Sequence, residues 1–145
     1  MKTQTHQLSY FELRLKELLY SSFPNLLADE EFITDRADAA ATAYQQAFLD
    51  GYNHIECEHI ADEVLFEGLH FSPFAMVFDV VCTEFADVVP DDKLRDFAYQ
   101  MFCNFYTLFE PFELNEAFEE SESYKLLYTD LTGHIQMWLE DNGVQ

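Results

Sequence analysis

Glycine and proline are scarce in this sequence, and that scarcity limits the folds open to it. The 145 residues include 4 glycines and 4 prolines, about half of the roughly 12% that these two residues reach in an average protein. A small β-sandwich or β-barrel needs many tight turns, and glycine and proline supply most of the backbone angles in such turns. We therefore predict an all-α protein.

The composition also predicts a folded core. Apolar residues make up 49% of the chain and aromatic residues 17%, which is enough to offset the conformational entropy that folding removes. No apolar run approaches a length of about 18 residues, as a membrane span requires, and segment 1–10 lacks the apolar centre of a signal peptide. We therefore expect a cytoplasmic protein whose three cysteines are reduced thiols.

Acidic residues greatly outnumber basic ones. Lysine and arginine total 7, against 28 aspartate and glutamate residues, and the formal net charge is -21. No lysine or arginine occurs from Ala37 to Asp92 or from Asp96 to Tyr124. Such a surface repels both nucleic-acid phosphates and anionic lipid head groups. We therefore predict neither direct nucleic-acid binding nor membrane binding.

Capping signals and apolar periodicity predict six helices in one compact bundle with orthogonal or mixed packing. We accordingly assign residues 1–145 to a single helical domain. Helix starts are indicated by side chains that accept backbone N–H groups and by prolines in the first turn. These signals are Ser9 with Glu12, Asp29, Asn53 with Glu56, Ser72 with Pro73, and Pro90 with Asp91 and Asp92. The predicted helices span residues 10–20, 29–51, 53–68, 73–86 and 93–109, with a sixth ending at residue 140.

The fourth and fifth predicted helices form the core. The fourth is apolar on nearly every side, which is typical of a helix in the middle of a fold or in a subunit interface. We predict one shared core made of Phe74, Phe78, Val81, Phe97, Met101, Phe105, Leu131 and Trp138. The same periodicity places Phe48 on the buried face of the second helix. Gly133 lies inside the sixth helix, where glycine costs about 1 kcal/mol relative to alanine, so we expect a neighbour packed closely against it.

Two Glu-x-x-His motifs are the candidates for a metal site. Glu56 with His59, and Glu67 with His70, have the spacing that places a carboxylate and an imidazole on one helix face, and Glu63 lies between them. A di-metal bundle needs such motifs on two helices and further glutamates from two more, whereas these motifs share one helix and its end. We therefore predict a hydrated acidic stripe, with no metal, no cofactor and no catalytic residue.

The segment from Gly68 to Ser72 has two interpretations. In the structural one, Gly68 ends the third helix in a left-handed conformation, two apolar residues enter the core, and Ser72 caps the fourth helix. In the functional one, His70 at the helix junction forms a binding corner with the Glu67 carboxylate. We favour the structural interpretation, in which Gly68, Leu69, Phe71 and Ser72 all have capping or core roles.

Four segments of the chain carry a family resemblance. They are Leu8–Phe11, Arg36–Ala40, Ala61–Ser72 and Ile135–Gly143, and the run Glu-Val-Leu-Phe-Glu-Gly-Leu-His-Phe-Ser in the third is the most specific. Together they resemble an uncharacterised family of small Bacteroidetes proteins, the domain of unknown function DUF1896, which is often carried on conjugative transposons. The resemblance implies an all-helical fold and a bacterial cytoplasmic setting. It implies no site residue, because the family has no assigned activity.

A non-enzymatic interaction or regulatory module is the function class that we favour. The apolar residues of the fourth and sixth helices exceed what one buried face requires, so the surplus is available to a partner. The candidate contact residues are Met76 and Val80 on the fourth helix and Leu126 and Met137 on the sixth. We expect a protein partner with a basic surface, because such a surface complements the charge. A second copy of the chain, forming a homodimer, is the alternative.

Two other function classes stay open. A DNA mimic would need its acids segregated onto one face. A globule of 17.0 kDa exposes about 7,700 Å², or about 370 Å² per net charge, against about 110 Å² per charge on duplex DNA. An enzyme or metal-binding bundle is the third class. The sequence contains neither a phosphate-loop motif nor a nucleophile motif that would support it.

Overall fold

The computed structural model describes residues 2–143, with side chains from residue 8 onward. That part of the chain contains six α-helices and no strand, which confirms the predicted all-α class and the number of helices. They are α1 (Lys2–Ser22), α2 (Glu30–Leu49), α3 (His54–Leu65), α4 (Pro73–Glu84), α5 (Leu94–Phe105) and α6 (Glu122–Asn142). None of the described helices combines the length and the apolar character that crossing a membrane requires.

The chain divides into two compact units. Unit 1 is Met1–Leu69 and contains α1 to α3, and unit 2 is His70–Gln145 and contains α4 to α6. Each unit has its own cluster of buried apolar residues. The assignment of residues 1–145 to one domain stays a prediction.

Unit 1 begins with a longer helix than we predicted. The Ser-x-x-Glu pattern at Ser9 is not a capping box, because α1 already begins at Lys2 and Ser9 lies inside it. The same spacing also suits a helix interior, where residues i and i+3 are neighbours on one face. The buried face of α1 consists of Phe11, Leu15 and Leu19, which recur every four residues as in an amphipathic helix.

The other two helices of unit 1 begin where their caps predict. At the start of α2, the Asp29 carboxylate accepts the Phe32 N–H at 3.1 Å. At the start of α3, the Asn53 side chain accepts the Glu56 N–H at 2.8 Å, and the Glu56 carboxylate accepts the Asn53 N–H at 3.1 Å. This reciprocal pair is the predicted capping box, which satisfies two backbone donors at once.

Small residues form the buried side of α2. Ala37, Ala40 and Ala41 are fully buried, and α2 packs against both α1 and α3. Phe48, which we predicted on the buried face, is instead 62% exposed. Ala47 takes the buried position in this last turn, and Phe48 lies about 100° further round the helix.

In unit 2, α4 is the central helix and packs against α5 and α6. Its buried residues are Phe74, Met76, Val77, Val80 and Val81. All eight predicted core residues belong to this cluster, which confirms the prediction that they share a core. Five of them are buried, and Phe78, Phe105 and Trp138 are partly buried against the others.

The fifth helix ends earlier than predicted. Regular α-helix stops at Phe105, and the chain continues as a tighter 3₁₀ turn at Tyr106–Phe109. Pro111 follows two residues later. It has no backbone N–H to donate to a continued helix, although Glu110 before it keeps helical angles, with a φ of -57° and a ψ of -37°. The α-helical ladder therefore tightens and stops ahead of the proline, and an irregular segment follows up to the start of α6.

Gly68 adopts the predicted left-handed conformation, with a φ of +78°. Ser72 then caps α4 by accepting the Ala75 N–H at 2.9 Å. Phe71, between them, is buried in the core of unit 2. These positions agree with the structural interpretation of this corner, in which glycine supplies the turn and serine the cap.

Gly133 does not have the close neighbour that we predicted. It is exposed in α6, and apart from its chain neighbours and the adjacent backbone of its own helix no described atom lies within 4 Å of the place where a Cβ would stand. The close-packing explanation is therefore wrong within this chain. The helix carries the cost of an interior glycine without an internal contact that accounts for it.

Candidate interaction surfaces

The residues of the first Glu-x-x-His motif lie on the surface of α3. The Glu56 carboxylate is part of the capping box. The Nε2 atom of His59 lies 3.3 Å from the Oε1 atom of Glu63, and both side chains are well exposed. This arrangement is the predicted solvated stripe, in which residues i and i+4 pair on a helix surface.

The two residues of the second motif have different partners. The Nδ1 atom of His70 lies 3.3 Å from the Oε1 atom of Glu116. Glu67 is exposed, and its carbonyl oxygen accepts a hydrogen bond from Arg36. Among the described residues, no three histidine, cysteine, aspartate or glutamate side chains converge as metal ligands do. The candidate metal ligands are thus capping and surface groups in this structure.

An ion pair that the sequence analysis missed joins α1 to α3. The two terminal nitrogens of Arg14 donate to the two carboxylate oxygens of Asp62, at 2.5 and 3.1 Å. The Arg14 guanidinium also lies 5.3 Å from the centroid of the Tyr10 ring and 5.5 Å from that of Phe66. The Tyr10 hydroxyl donates to Glu58 at 2.7 Å, and this bond raises the pKa of the phenol. The cluster stabilises the packing of α1 on α3.

The other two arginines also contact groups within the fold. Arg36 donates to the carbonyl oxygens of Leu65 and Glu67, at 3.2 and 2.6 Å, and so satisfies acceptors at the end of α3. The Arg95 guanidinium lies 5.1 Å from the centroid of the Phe74 ring, a cation–π contact. Each of the three arginines is therefore engaged, and the acidic surplus of the sequence is left on the surface.

Two large apolar side chains are exposed on the outer side of α6. Leu126 is 66% exposed and Met137 is 63% exposed. They are separated by about three helical turns, which places them on the same face. Gly133 lies between them on this face. We call Leu126, Gly133 and Met137 the α6 face.

Met76 and Val80, the other two predicted contact residues, are not on the surface. They are 3% and 0% exposed and belong to the core of unit 2. The sequence analysis overestimated the number of apolar residues on α4 that are free for a partner. This helix packs against α5 as well as α6, so it needs apolar residues on two faces. Neither residue is available to a partner in this structure.

A second exposed apolar surface lies at the turn between α2 and α3. Its four large side chains, all exposed, are Phe48, Leu49, Tyr52 and Ile55. We call these four residues the hairpin tip. The sequence analysis missed this surface, because it assigned Phe48 to a buried face and no periodicity indicates a face in the turn that follows.

Two adjoining depressions open on the surface of unit 2, beside the irregular segment after α5. The larger measures about 330 Å³, and its lining includes Phe102, Tyr106, Phe109, Glu110, Phe112 and Leu114. The smaller measures about 220 Å³, and its lining includes Phe112, Glu113, Asn115, Phe118, Ser121 and Ser123. Because Phe112 lines both, we call the pair the Phe112 groove. A sequence signal exists for it, since Phe112 and Leu114 alternate with acids directly after Pro111, where a helix does not continue.

Comparison with known proteins identifies relatives across the whole chain. The family model described as a domain of unknown function (DUF1896) matches residues 3–144. The chain is also similar to the crystal structure of protein PG0816 from Porphyromonas gingivalis, with 36% sequence identity and a TM-score of 0.92, covering 100% of this chain and 99% of that one. No curated protein matches the chain. These matches confirm the family resemblance that the four sequence segments predicted.

Proposed function

We propose that this protein, which belongs to the DUF1896 family, is a non-enzymatic interaction module that binds a basic protein partner through the α6 face. The observation that supports the proposal is the glycine at the centre of that face. Apart from its chain neighbours and the adjacent backbone of α6, no described atom lies within 4 Å of the Cβ position of Gly133, although two large exposed apolar side chains flank it.

A partner helix packed across α6 would explain both features. Glycine in a helix interior costs about 1 kcal/mol relative to alanine, but the missing Cβ lets another backbone approach closely. Leu126 and Met137 would then pack on either side of the crossing point, and fully burying each side chain contributes about 1.5–3 kcal/mol. The α6 face thus offers a partner helix both a close approach and apolar area.

The charges around the α6 face indicate which partner it favours. Glu122, Asp130 and Glu140 lie within about 40° of Leu126 on a helix with 3.6 residues per turn. Lys125, the basic residue of α6, lies 3.5 Å from Glu122. An apolar centre with an acidic surround favours a partner whose own apolar patch has a basic rim. Long-range attraction to such a partner is screened over about 10 Å at 0.1 M salt.

Recovery of the partner from the cytoplasm of the native bacterium tests the proposal, which includes the cytoplasmic and mobile-element setting that the resemblance implies. We expect the wild-type protein to recover a basic protein at low salt and less of it at moderate salt. The double variant Leu126→Ser with Met137→Ser should lose the partner. The control variant Phe48→Ser with Leu49→Ser removes the same number of exposed apolar side chains from the hairpin tip and should keep it.

The variant Gly133→Ala gives a second and sharper test. Its methyl group occupies the space that a partner backbone would need, so partner recovery should fall although the isolated protein becomes more stable. The control Gln136→Ala changes an exposed residue of the same helix and should leave recovery unchanged. A variant that is both more stable and weaker in binding separates a docking role from a folding role.

Four results would contradict the proposal. Recovery only of DNA-binding enzymes, in competition with DNA, would favour the DNA mimic. Recovery only of a second copy would favour a homodimer. Turnover of a small molecule by a protein that recovers no partner would favour an enzyme. Loss of the partner in the hairpin-tip variant, but not in the α6 variant, would move the binding surface to unit 1.

A further inference from the structure

We infer that the Phe112 groove is a second docking site, which takes one segment of a partner protein by two neighbouring side chains. A large apolar side chain occupies the larger depression, and an arginine or lysine side chain occupies the smaller one. This inference goes beyond the proposed function. It concerns a different surface, and it does not depend on the α6 face.

The larger depression is suited to an apolar side chain. Phe102, Phe109 and Leu114 contribute its apolar lining, together with the shared Phe112. Its volume of about 330 Å³ is roughly ten times the share of one water molecule in the liquid, so it accommodates a leucine, methionine or phenylalanine side chain. Water in such a space finds few hydrogen-bond partners, and an apolar group that displaces it gains affinity.

The smaller depression is suited to a cation. Two of its polar groups are already used by the fold, because the Asn115 side chain accepts the Ala117 N–H at 3.0 Å and the Ser121 hydroxyl donates to the Phe118 carbonyl. The Glu113 carboxylate has no ion-pair partner among the described side chains and is exposed. A guanidinium donates to a carboxylate and also stacks on an aromatic ring such as Phe112.

The charge along the groove selects a basic segment over an acidic one. Glu110, Glu113, Glu116 and Glu119 recur every third residue through the segment that forms it, and all four are exposed. The sequence has no lysine or arginine from Asp96 to Tyr124. A carboxylate or phosphate in the groove would meet the like charge of these glutamates, which is unfavourable.

The groove is held in shape by aromatic packing beneath it. Phe118 is buried, and its ring centroid lies 4.9 Å from that of Phe71, 5.6 Å from that of Phe112 and 5.9 Å from that of Tyr124. Edge-to-face and tilted contacts at these distances are favourable for aromatic rings. A site that is already formed loses less conformational entropy on binding. Because Phe112 lines both depressions, they meet at this ring, as binding by two neighbouring side chains of one segment requires.

Selection of random octapeptides displayed on phage, against the full chain, tests the inference. We expect the enriched peptides to carry a large apolar residue next to, or one position from, an arginine or lysine. Glu113→Lys should reduce the binding of these peptides by about tenfold. Tyr106→Ser should also reduce their binding, because it removes part of the lining of the larger depression. Both residues are exposed, so both variants should fold. The matched control Glu17→Lys makes the same charge change at an exposed position of α1, which lines neither depression, and should leave binding unchanged.

Any other outcome overturns the inference. If the enriched peptides lack a basic residue, the smaller depression does not bind a cation. Equal weakening by Glu113→Lys and Glu17→Lys would mean attraction to the overall negative charge, and the absence of enriched peptides would mean that the groove is no docking site. The Leu126→Ser, Met137→Ser variant should bind the peptides as the wild type does. Failure at the groove is therefore distinguishable from failure of the α6 proposal.

Discussion

Arg14 and Asp62, which are 48 residues apart in sequence, form a bidentate ion pair between α1 and α3. Their side chains are 25% and 30% exposed, so water screens the pair only in part. Two parallel hydrogen bonds between a guanidinium and a carboxylate give stronger and more directional binding than a single point charge does. The pair therefore links α1 to α3 within unit 1.

Removing this pair should destabilise the protein measurably. We expect Arg14→Ala to lower the free energy of unfolding by about 1–2 kcal/mol, because it leaves the Asp62 carboxylate partly buried without its partner. A double-mutant cycle with Asp62→Ala, followed by urea denaturation, should give a coupling energy of about 1 kcal/mol. Lys125→Ala removes a much more exposed pair and should change stability by less than about 0.5 kcal/mol. A coupling energy near zero would contradict a stabilising role for Arg14.

Two glycine-to-alanine variants should change stability in opposite directions. Gly133→Ala should raise the free energy of unfolding by about 1 kcal/mol, since alanine favours helix and the Cβ meets no atom. Gly68→Ala should lower it by about 1–2 kcal/mol, because the left-handed backbone at φ +78° is strained for any residue with a Cβ. Thermal melts of the two variants and the wild type measure both effects. Melting shifts of the same sign would contradict this difference.

Truncation in the core of unit 2 should be far more costly than truncation at the hairpin tip. Phe74 is 1% exposed and contacts the rings of Phe78, Tyr99 and Phe102, so Phe74→Ala should cost about 3–5 kcal/mol. Phe48→Ala removes the same side chain at an exposed position and should change stability by at most about 0.5 kcal/mol. Chemical denaturation compares them. Similar losses would mean that the hairpin tip is buried in solution.

Stability should fall at alkaline pH through tyrosine ionisation. Burial, followed by the charges of Asp79 and Glu119, raises the pKa of Tyr124, and burial raises the pKa of Tyr128. Since the unfolded chain then loses these protons first, the stabilisation is fully present below about pH 10 and is lost as the pH rises through the folded-state pKa. Tyr124→Phe removes one of these groups and should make the alkaline loss shallower. An unchanged pH profile in urea denaturation would contradict this role.

Sequence reasoning worked where the determining interaction is local. The bonds that start α3 and α4 join residues three positions apart, as with Asn53 to Glu56 and Ser72 to Ala75, so the pattern of nearby residues contains the whole interaction. The core of unit 2 was also predicted, because a helix as apolar as α4 must be buried somewhere. The Ser9 cap was wrong because the same local pattern also fits a helix interior.

The candidate surfaces depend on tertiary packing, which the sequence does not specify. Helical periodicity identifies an apolar side chain but not what covers it. Met76 and Leu126 were therefore both predicted to contact a partner, although Met76 is buried and Leu126 is exposed. The partner of Arg14 depends on how α1 lies on α3. The Phe112 groove forms in a segment without regular periodicity, where no repeating pattern predicts which side chains turn inward.

Because all three arginines are engaged within the fold, the excess of acidic residues on the surface keeps separate molecules apart. Two copies that approach each other in neutral solution present mainly carboxylates, and their mutual repulsion keeps the hairpin tip and the α6 face of one copy from adhering to those of the next. Acidification toward the isoelectric point near 4.2 removes that barrier, and the same apolar surfaces then become adhesive. Charge repulsion at neutral pH thus lets the protein expose apolar surface without aggregating.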